Sequence, residues 1–194
     1  MTTLCDIERV LAGYEPVPLE CNTITPAAVA LILRQGPSGM QMLFIERAAH
    51  DNDPWSGNVG FPGGKIEKDD GSPQLAAERE TLEEIGLDLR TEQYLGRLSD
   101  IAGAHLPVKI SCFVYGTDYA GPFHLSDEVR DVFWVPLEEL RNPARHVEAP
   151  VRFNGSTLIR PAIRLPQPGK PMLWGITYRL VMEILDLLRK DQAR

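Results

Sequence analysis

"FPGGKIEKDDGSPQLAAERETLEEIGL", residues 61–87, opens on paired glycines and closes on a helix-like run crowded with glutamates. Ser72 is suited to cap that helix, and Pro73 fits its first position, where no amide donor is needed. Gly86 is suited to end it in a left-handed conformation. At about 100° per residue, Leu75, Leu82 and Ile85 fall on one side, which is expected to pack on a sheet. Glu80, Glu83 and Glu84 then share another side at i, i+3 and i+4, with the small Ala76 and Ala77 one turn earlier.

Like charges at i, i+4 repel by about 0.2–0.5 kcal/mol. Arg79 can pair with Glu83, but no base in the helix answers Glu80 or Glu84. A solvated acidic face is the ordinary account of such a pattern. It explains neither the alanines nor the glycines upstream. Crowded carboxylates beside small residues suit a hard divalent cation that keeps some of its waters. Gly60, Gly63 and Gly64 surround Phe61-Pro62 and let the backbone approach a ligand closely. No G-x-x-x-x-G-K-[ST] pattern is present, so a P-loop is not supported.

Outward from this stretch, 27–34 and 41–47 read as two strands of a hairpin around "QGPSG". "HDNDPWSG", residues 50–57, reads as a loop of functional length, and "NVGFPGG" as a short strand entering a glycine turn. Residues 92–101 and 107–119 have strand character. "VFWVPLEELRN" reads as a strand that breaks at Pro136 into a short helix, and Asn154-Gly155 marks another hairpin. Helices are expected near 6–11 and over the last segment, where Ile176, Leu180, Ile184, Leu187 and Leu188 recur at helical spacing. Mixed strands and helices with few βαβ repeats point to an α/β fold, a mixed sheet with helices packed on it.

At 194 residues the chain is expected to form one domain. A net charge of -7 argues against broad phosphate neutralisation, hence against nucleic acid as partner. Cys5, Cys21 and Cys112 form neither a zinc pattern nor a disulfide framework, so a reducing cytoplasm is expected. No basic leader precedes an apolar run, and "AAVALIL" is too short to cross a bilayer.

The glycine turn and glutamate helix together resemble the Nudix box, G-x5-E-x7-R-E-U-x-E-E-x-G-U, where U is aliphatic. Residues 79–87 match its second half, with Thr81 at an aliphatic position. Asp70 stands in place of the first glutamate, and the loop before Arg79 carries one extra residue. That variation is similar to the coenzyme A pyrophosphatase branch, whose upstream motif includes R-x(3)-H-x-G-x-V-x-F-P-G-G. Arg47, Gly57, Val59, Phe61, Pro62, Gly63 and Gly64 match the longer form of that motif, while Trp55 stands in place of its histidine.

The resemblance implies a single Nudix-type α/β/α sandwich over 1–194, with an N-terminal extension to about residue 24 and the box at 64–87. It implies hydrolysis of a diphosphate bond in a nucleoside diphosphate linked to another moiety, with Mg²⁺ or Mn²⁺ as cofactor. Coenzyme A-type substrates come first; ADP-ribose, dinucleoside polyphosphates and NTPs are the alternative. A non-catalytic nucleotide-binding module of the same fold is the rival from another class. Glu80 and Glu84 are implied as metal ligands, completed by Glu83 and the Gly64 carbonyl. Arg79 is implied to hold the carboxylates, and Glu83, Glu84, Arg79 and Glu128 are the catalytic candidates; the general base comes from the box or from a distant loop, where Glu128 is the candidate. Arg47, Trp55, Gly63 and Gly64 are the candidates for substrate contact. A homodimer is compatible with the resemblance.

Overall fold

The computed structural model describes residues 2–20, 25–49, 56–103, 107–153 and 155–192. In chain order the elements are α1 (Leu4–Ala12), β1 (Thr25–Gly36), β2 (Gly39–Arg47), β3 (Val59–Gly60), β4 (Gly63–Lys65), α2 (Pro73–Ile85), β5 (Gln93–Arg97), β6 (Ile101–Ala102) and β7 (Val108–Gly116). They continue with β8 (Val129–Pro136), α3 (Leu137–Arg141), β9 (His146–Phe153), β10 (Ser156–Ile163), β11 (Leu173–Trp174) and α4 (Gly175–Gln192). The hairpins at 25–47 and 146–163, the break at Pro136 and the final helix all fall where the sequence pattern puts them. Strands β1 to β8 form one mixed sheet, and β11-β10-β9 form a second.

Within the large sheet β1 runs parallel to β7 and antiparallel to β2. The β1–β2 hairpin is paired only near its turn, through Leu33↔Met42 to Gly36↔Gly39. Beyond that point the strands splay, and residues 59–65 fill the fork. Val59 and Gly60 pair with β2, whereas Gly63, Gly64 and Lys65 pair with Val29, Ala28 and Ala27 of β1. The Ala30 amide donates to the Pro62 carbonyl at 2.9 Å, closing the wedge. The glycine turn is therefore part of the sheet itself.

Successive strand residues face opposite ways, so the sheet carries two cores. On one side Leu31, Leu33, Phe44 and Phe61 pack with Ile7 and Leu11 of α1 and Leu180, Val181 and Ile184 of α4. On the other, Ala28, Ala30, Ile32, Leu43 and Ile45 pack with Ala76, Ala77 and Ile85 of α2. This is an α/β sandwich with helices on both faces of a mixed sheet.

Helix α2 starts and stops as its sequence implies. The Leu75 amide donates to Ser72 Oγ, Pro73 opens the helix, and Gly86 closes it at φ 73°. Its orientation corrects one expectation: Leu75 and Leu82 are exposed rather than packed on the sheet. Ala76, Ala77, Thr81 and Ile85 are buried instead. Alanines on the helix meet Ala28 and Ala30 on β1, and small residues on both surfaces let the helix lie close to the strand. The alanines thus set the approach of the helix rather than clear space around the acids. Thr81 is fully buried. Its hydroxyl donates to the Ala77 carbonyl at 2.7 Å, one turn back, which satisfies it in an apolar setting.

Candidate active site

The close seating of α2 drives two of its glutamates into the glycine turn. Glu84 is 3% exposed, and its Oε2 accepts a hydrogen bond from the Gly63 amide at 2.9 Å. Gly64 lies against Glu80 so tightly that a Cβ there would come within 2.5 Å of the carboxylate carbon. Adjacent glycines therefore touch two glutamates one helical turn apart. Glu83 points outward and stays largely solvated, with a side chain 58% exposed.

Arg79 organises the rest. Its Nε and Nη2 grip Asp70 Oδ1 and Oδ2 at 2.9 and 3.0 Å. Nη1 donates to Glu80 Oε1 and Glu83 Oε2, both at 3.0 Å, and Nη2 donates also to the Lys65 carbonyl at 3.3 Å. A guanidinium has five N–H donors, and here five acceptors meet them. Arg79 thus answers Glu80 as well as Glu83, which corrects the expectation that Glu80 has no base in the helix to answer it. Asp70 is not among the site residues to which the sequence points, although its spacing from Arg79 is the available signal. The turn that carries the extra residue is closed by Asp70 itself, whose Oδ2 accepts from the Glu67 amide at 2.8 Å. In that way the shorter acid still reaches the arginine.

Two further elements face the cluster. Arg47, at the end of β2, places Nη1 3.7 Å from Glu84 Oε1. The segment after β7 caps α2: the Ser126 amide donates to the Glu84 carbonyl at 2.9 Å and the His124 amide to the Ile85 carbonyl at 3.1 Å. Glu128 follows directly, with its carbonyl accepting from the Ala48 amide at 2.8 Å. Its charge is felt at both Glu80 and Glu84. Trp55 lies outside the described residues.

Burial dominates the electrostatics. Desolvation pushes the Glu84 carboxyl up to about 7, against the opposing pull of the Gly63 amide and Arg47, and Glu80 and Glu128 add repulsion. Glu80 is also raised, first by desolvation and then by Glu83 and Glu128, with Arg79 opposing. Hydrogen bonds from Arg79 hold Asp70 below the usual carboxylate range.

Among the described residues no group of three or more Asp, Glu, His or Cys side chains is gathered as a ready metal cluster. The arrangement gives a reason: Arg79 draws Glu80 and Glu83 to itself, while Gly63 and Arg47 hold Glu84. The donor set nevertheless fits a hard divalent ion. It offers carboxylate and carbonyl oxygens only, and the absence of a side chain at Gly64 leaves the Glu80 carboxylate its place. Gly64→Ala tests this separation. The three atoms its new methyl would crowd most closely all belong to the end of a flexible side chain, the Glu80 carboxylate, so the protein should fold with a melting temperature close to that of the wild type. With Glu80 displaced by the order of 1 Å, any activity that depends on it should fall about 10²-fold. Equal activity in the two proteins would show that the position of Glu80 is immaterial.

A family profile described as the NUDIX domain matches residues 24–154. A probable nudix hydrolase of Schizosaccharomyces pombe is 30% identical over 85% of this chain and 56% of its own length. The chain spans little more than half the length of three of the curated proteins it matches. Among solved structures, the NUDIX domain of Shewanella oneidensis NrtR, complexed with ADP ribose, superposes with a TM-score of 0.50 at 21% identity, over 69% of this chain and 84% of that one. A Caenorhabditis elegans Ap4A hydrolase in a binary complex gives 0.50 at 19% identity, over 60% and 83%. Among the described residues no helix is long and apolar enough to cross a membrane.

Proposed function

The chain belongs to the Nudix family, and from that premise we propose that it hydrolyses the diphosphate bridge of a nucleoside diphosphate linked to a second group, with Mg²⁺ or Mn²⁺. The observation that carries this reading is the seating of buried Glu84 and half-buried Glu80 against Gly63 and Gly64. An isolated charge is costly to bury, and a protein that only needed a solvated helix has no use for one here.

Glu80 and Glu84 would hold the ion together with the Gly64 carbonyl, and the exposed Glu83 would reach it through water. When bound, the ion neutralises the bridge and lowers the pKa of a coordinated water. Arg79 and Asp70 keep the carboxylates in position and touch no substrate. The Arg47 guanidinium binds a phosphate group, a task its planar fork suits. Glu128, carried beside the cluster by the cap on α2, accepts the proton of the water that attacks phosphorus. The bridging P–O bond then breaks, leaving two phosphorylated products. The soluble interior of the cell is the setting that fits such substrates.

For the substrate, ADP-ribose, dinucleoside polyphosphates or NTPs now rank ahead of coenzyme A. Two observations favour that order. The solved neighbours include one bound to ADP ribose and an Ap4A hydrolase. The coenzyme A motif is also broken where Trp55 replaces its histidine. Coenzyme A, ADP-ribose, Ap4A and NTPs should be compared with each metal, following products by phosphorus NMR. One of the three nucleotide classes should exceed coenzyme A in kcat/KM by about tenfold or more, equivalent to about 1.4 kcal/mol in the transition state. Fastest turnover of coenzyme A would reverse the order, and no turnover of any of them would remove the catalytic reading.

A further inference from the structure

Strand β8 is irregular where it approaches the site. Val129 packs in the core beneath α2, whereas Phe133 packs in the core on the other face of the sheet. Residues four apart in a regular strand share a face, so the alternation breaks between these two. The register shows where. Glu46 pairs with Asp131 and Arg47 with Val129, which leaves Arg130 as the extra residue of a β-bulge. The bulge turns Val129 toward α2. Its amide donates to the Ser126 carbonyl at 3.2 Å, and the Ser126 amide donates to the Glu84 carbonyl at 2.9 Å. Glu128 lies inside that turn.

Glu46 sits opposite the bulge and is only 4% exposed. Its Oε1 accepts from Arg130 Nη1 at 2.9 Å, and its Oε2 accepts from Lys170 Nζ at 2.8 Å. Lys170 also bonds Asp131 and lies over the Phe133 ring, 4.7 Å from the centroid. One buried carboxylate thus ties together both residues that oppose it. A buried ion pair often adds no stability over an apolar replacement, so fixing the register is the role left for this one. We propose that Glu46 is a positioning residue, which holds the β8 bulge and through it keeps Glu128 beside the acids of α2. The inference rests on the reading of Glu128 as proton acceptor given above. Glu46 itself touches no substrate and acts through the backbone of β8.

The test is a double-mutant cycle on the whole chain with Mg²⁺ and whichever of ADP-ribose, Ap4A and NTPs is turned over fastest. Glu128→Gln should lower kcat by about 10²–10⁴-fold, the usual share of a general base. Glu46→Gln should lower kcat by about 10²-fold, as a misplacement of about 1 Å does, and leave KM unchanged. Added to Glu128→Gln, it should cause no further loss. Hydrogen exchange at the Ala48 amide, which donates to the Glu128 carbonyl at 2.8 Å, reads the bulge without substrate, and Glu46→Gln should lose protection there. Unchanged kcat, an equal loss in both backgrounds, a change in KM alone or unchanged Ala48 protection overturns the positioning role. Full activity of Glu128→Gln would instead remove the proton-acceptor reading, and the inference with it, a failure that this single variant tells apart from the others. Thermal melts check folding. Should Glu46→Gln fail to fold, Lys170→Gln carries the same comparison, because Lys170 joins Glu46 to Asp131.

Discussion

Gly63→Ala is expected to cost this protein much of its stability, although the change adds one methyl group. Gly63 has φ 144°, in a region that L side chains rarely adopt. The added Cβ would lie 2.2 Å from the Ala28 carbonyl oxygen and 2.6 Å from Val29 Cα. Both are backbone atoms of β1, and β1 is held on its far side by β7. The strand cannot yield without opening the centre of the sheet, and the turn cannot yield without giving up its pairing with β1. Backbone strain of about 1–3 kcal/mol and overpacking of about 1–3 kcal/mol then act together. Their sum, about 2–6 kcal/mol, reaches the lower end of the whole stability of a domain, about 5–15 kcal/mol. Soluble yield and thermal melting measure the effect. A Gly63→Ala protein melting within a few degrees of wild type would mean that the fork is looser than described.

Glu84→Gln should have the opposite profile, a large loss of activity with little loss of stability. The substitution keeps an oxygen to accept from the Gly63 amide and removes the charge. Metal-dependent hydrolysis should fall about 10²–10³-fold, as when one preorganised electrostatic group is removed from an active site. Stability of the metal-free protein should be retained or improved, because burial has already pushed Glu84 from the usual 4.5 up to about 7. A folded-state pKa above the unfolded one means that the folded protein holds the proton more tightly. Wild-type stability therefore falls as pH rises from about 4.5 to about 7, by at most about 3 kcal/mol, and stays low above that. Glutamine has no such titration. Denaturant melts in EDTA at pH 5 and pH 8 should show a smaller loss for Glu84→Gln than for wild type. An equal loss in both would mean that Glu84 is solvated in the metal-free state.

The contrast between these two positions mirrors what could be read from the sequence. The ends of α2 were legible because capping is local: Ser72, Pro73 and Gly86 act on their immediate neighbours. The hairpins were legible for the same reason. The orientation of α2 was not, because apolar periodicity weighs leucines above alanines. Closeness of approach decided the matter, and Ala28 and Ala30 on a distant strand set it. The partners of Arg79 were half legible. Glu83 lies one turn away and follows from helix geometry, but Asp70 comes back through a turn whose shape had to be seen. Arg47 and Glu84 meet only because residues 59–65 wedge apart the strands of one hairpin. No local pattern encodes that fork, nor the parallel pairing of β1 with β7.

The amides of His124 and Ser126 that close the last turn of α2 also act as a yoke. They fasten the start of the 124–128 segment to the same backbone that carries Glu84, while the Glu128 carbonyl is tied to Ala48 beside Arg47. A thermal displacement of that segment must drag the end of the helix with it. The backbones that carry Glu84 and Glu128 are therefore linked directly through these hydrogen bonds.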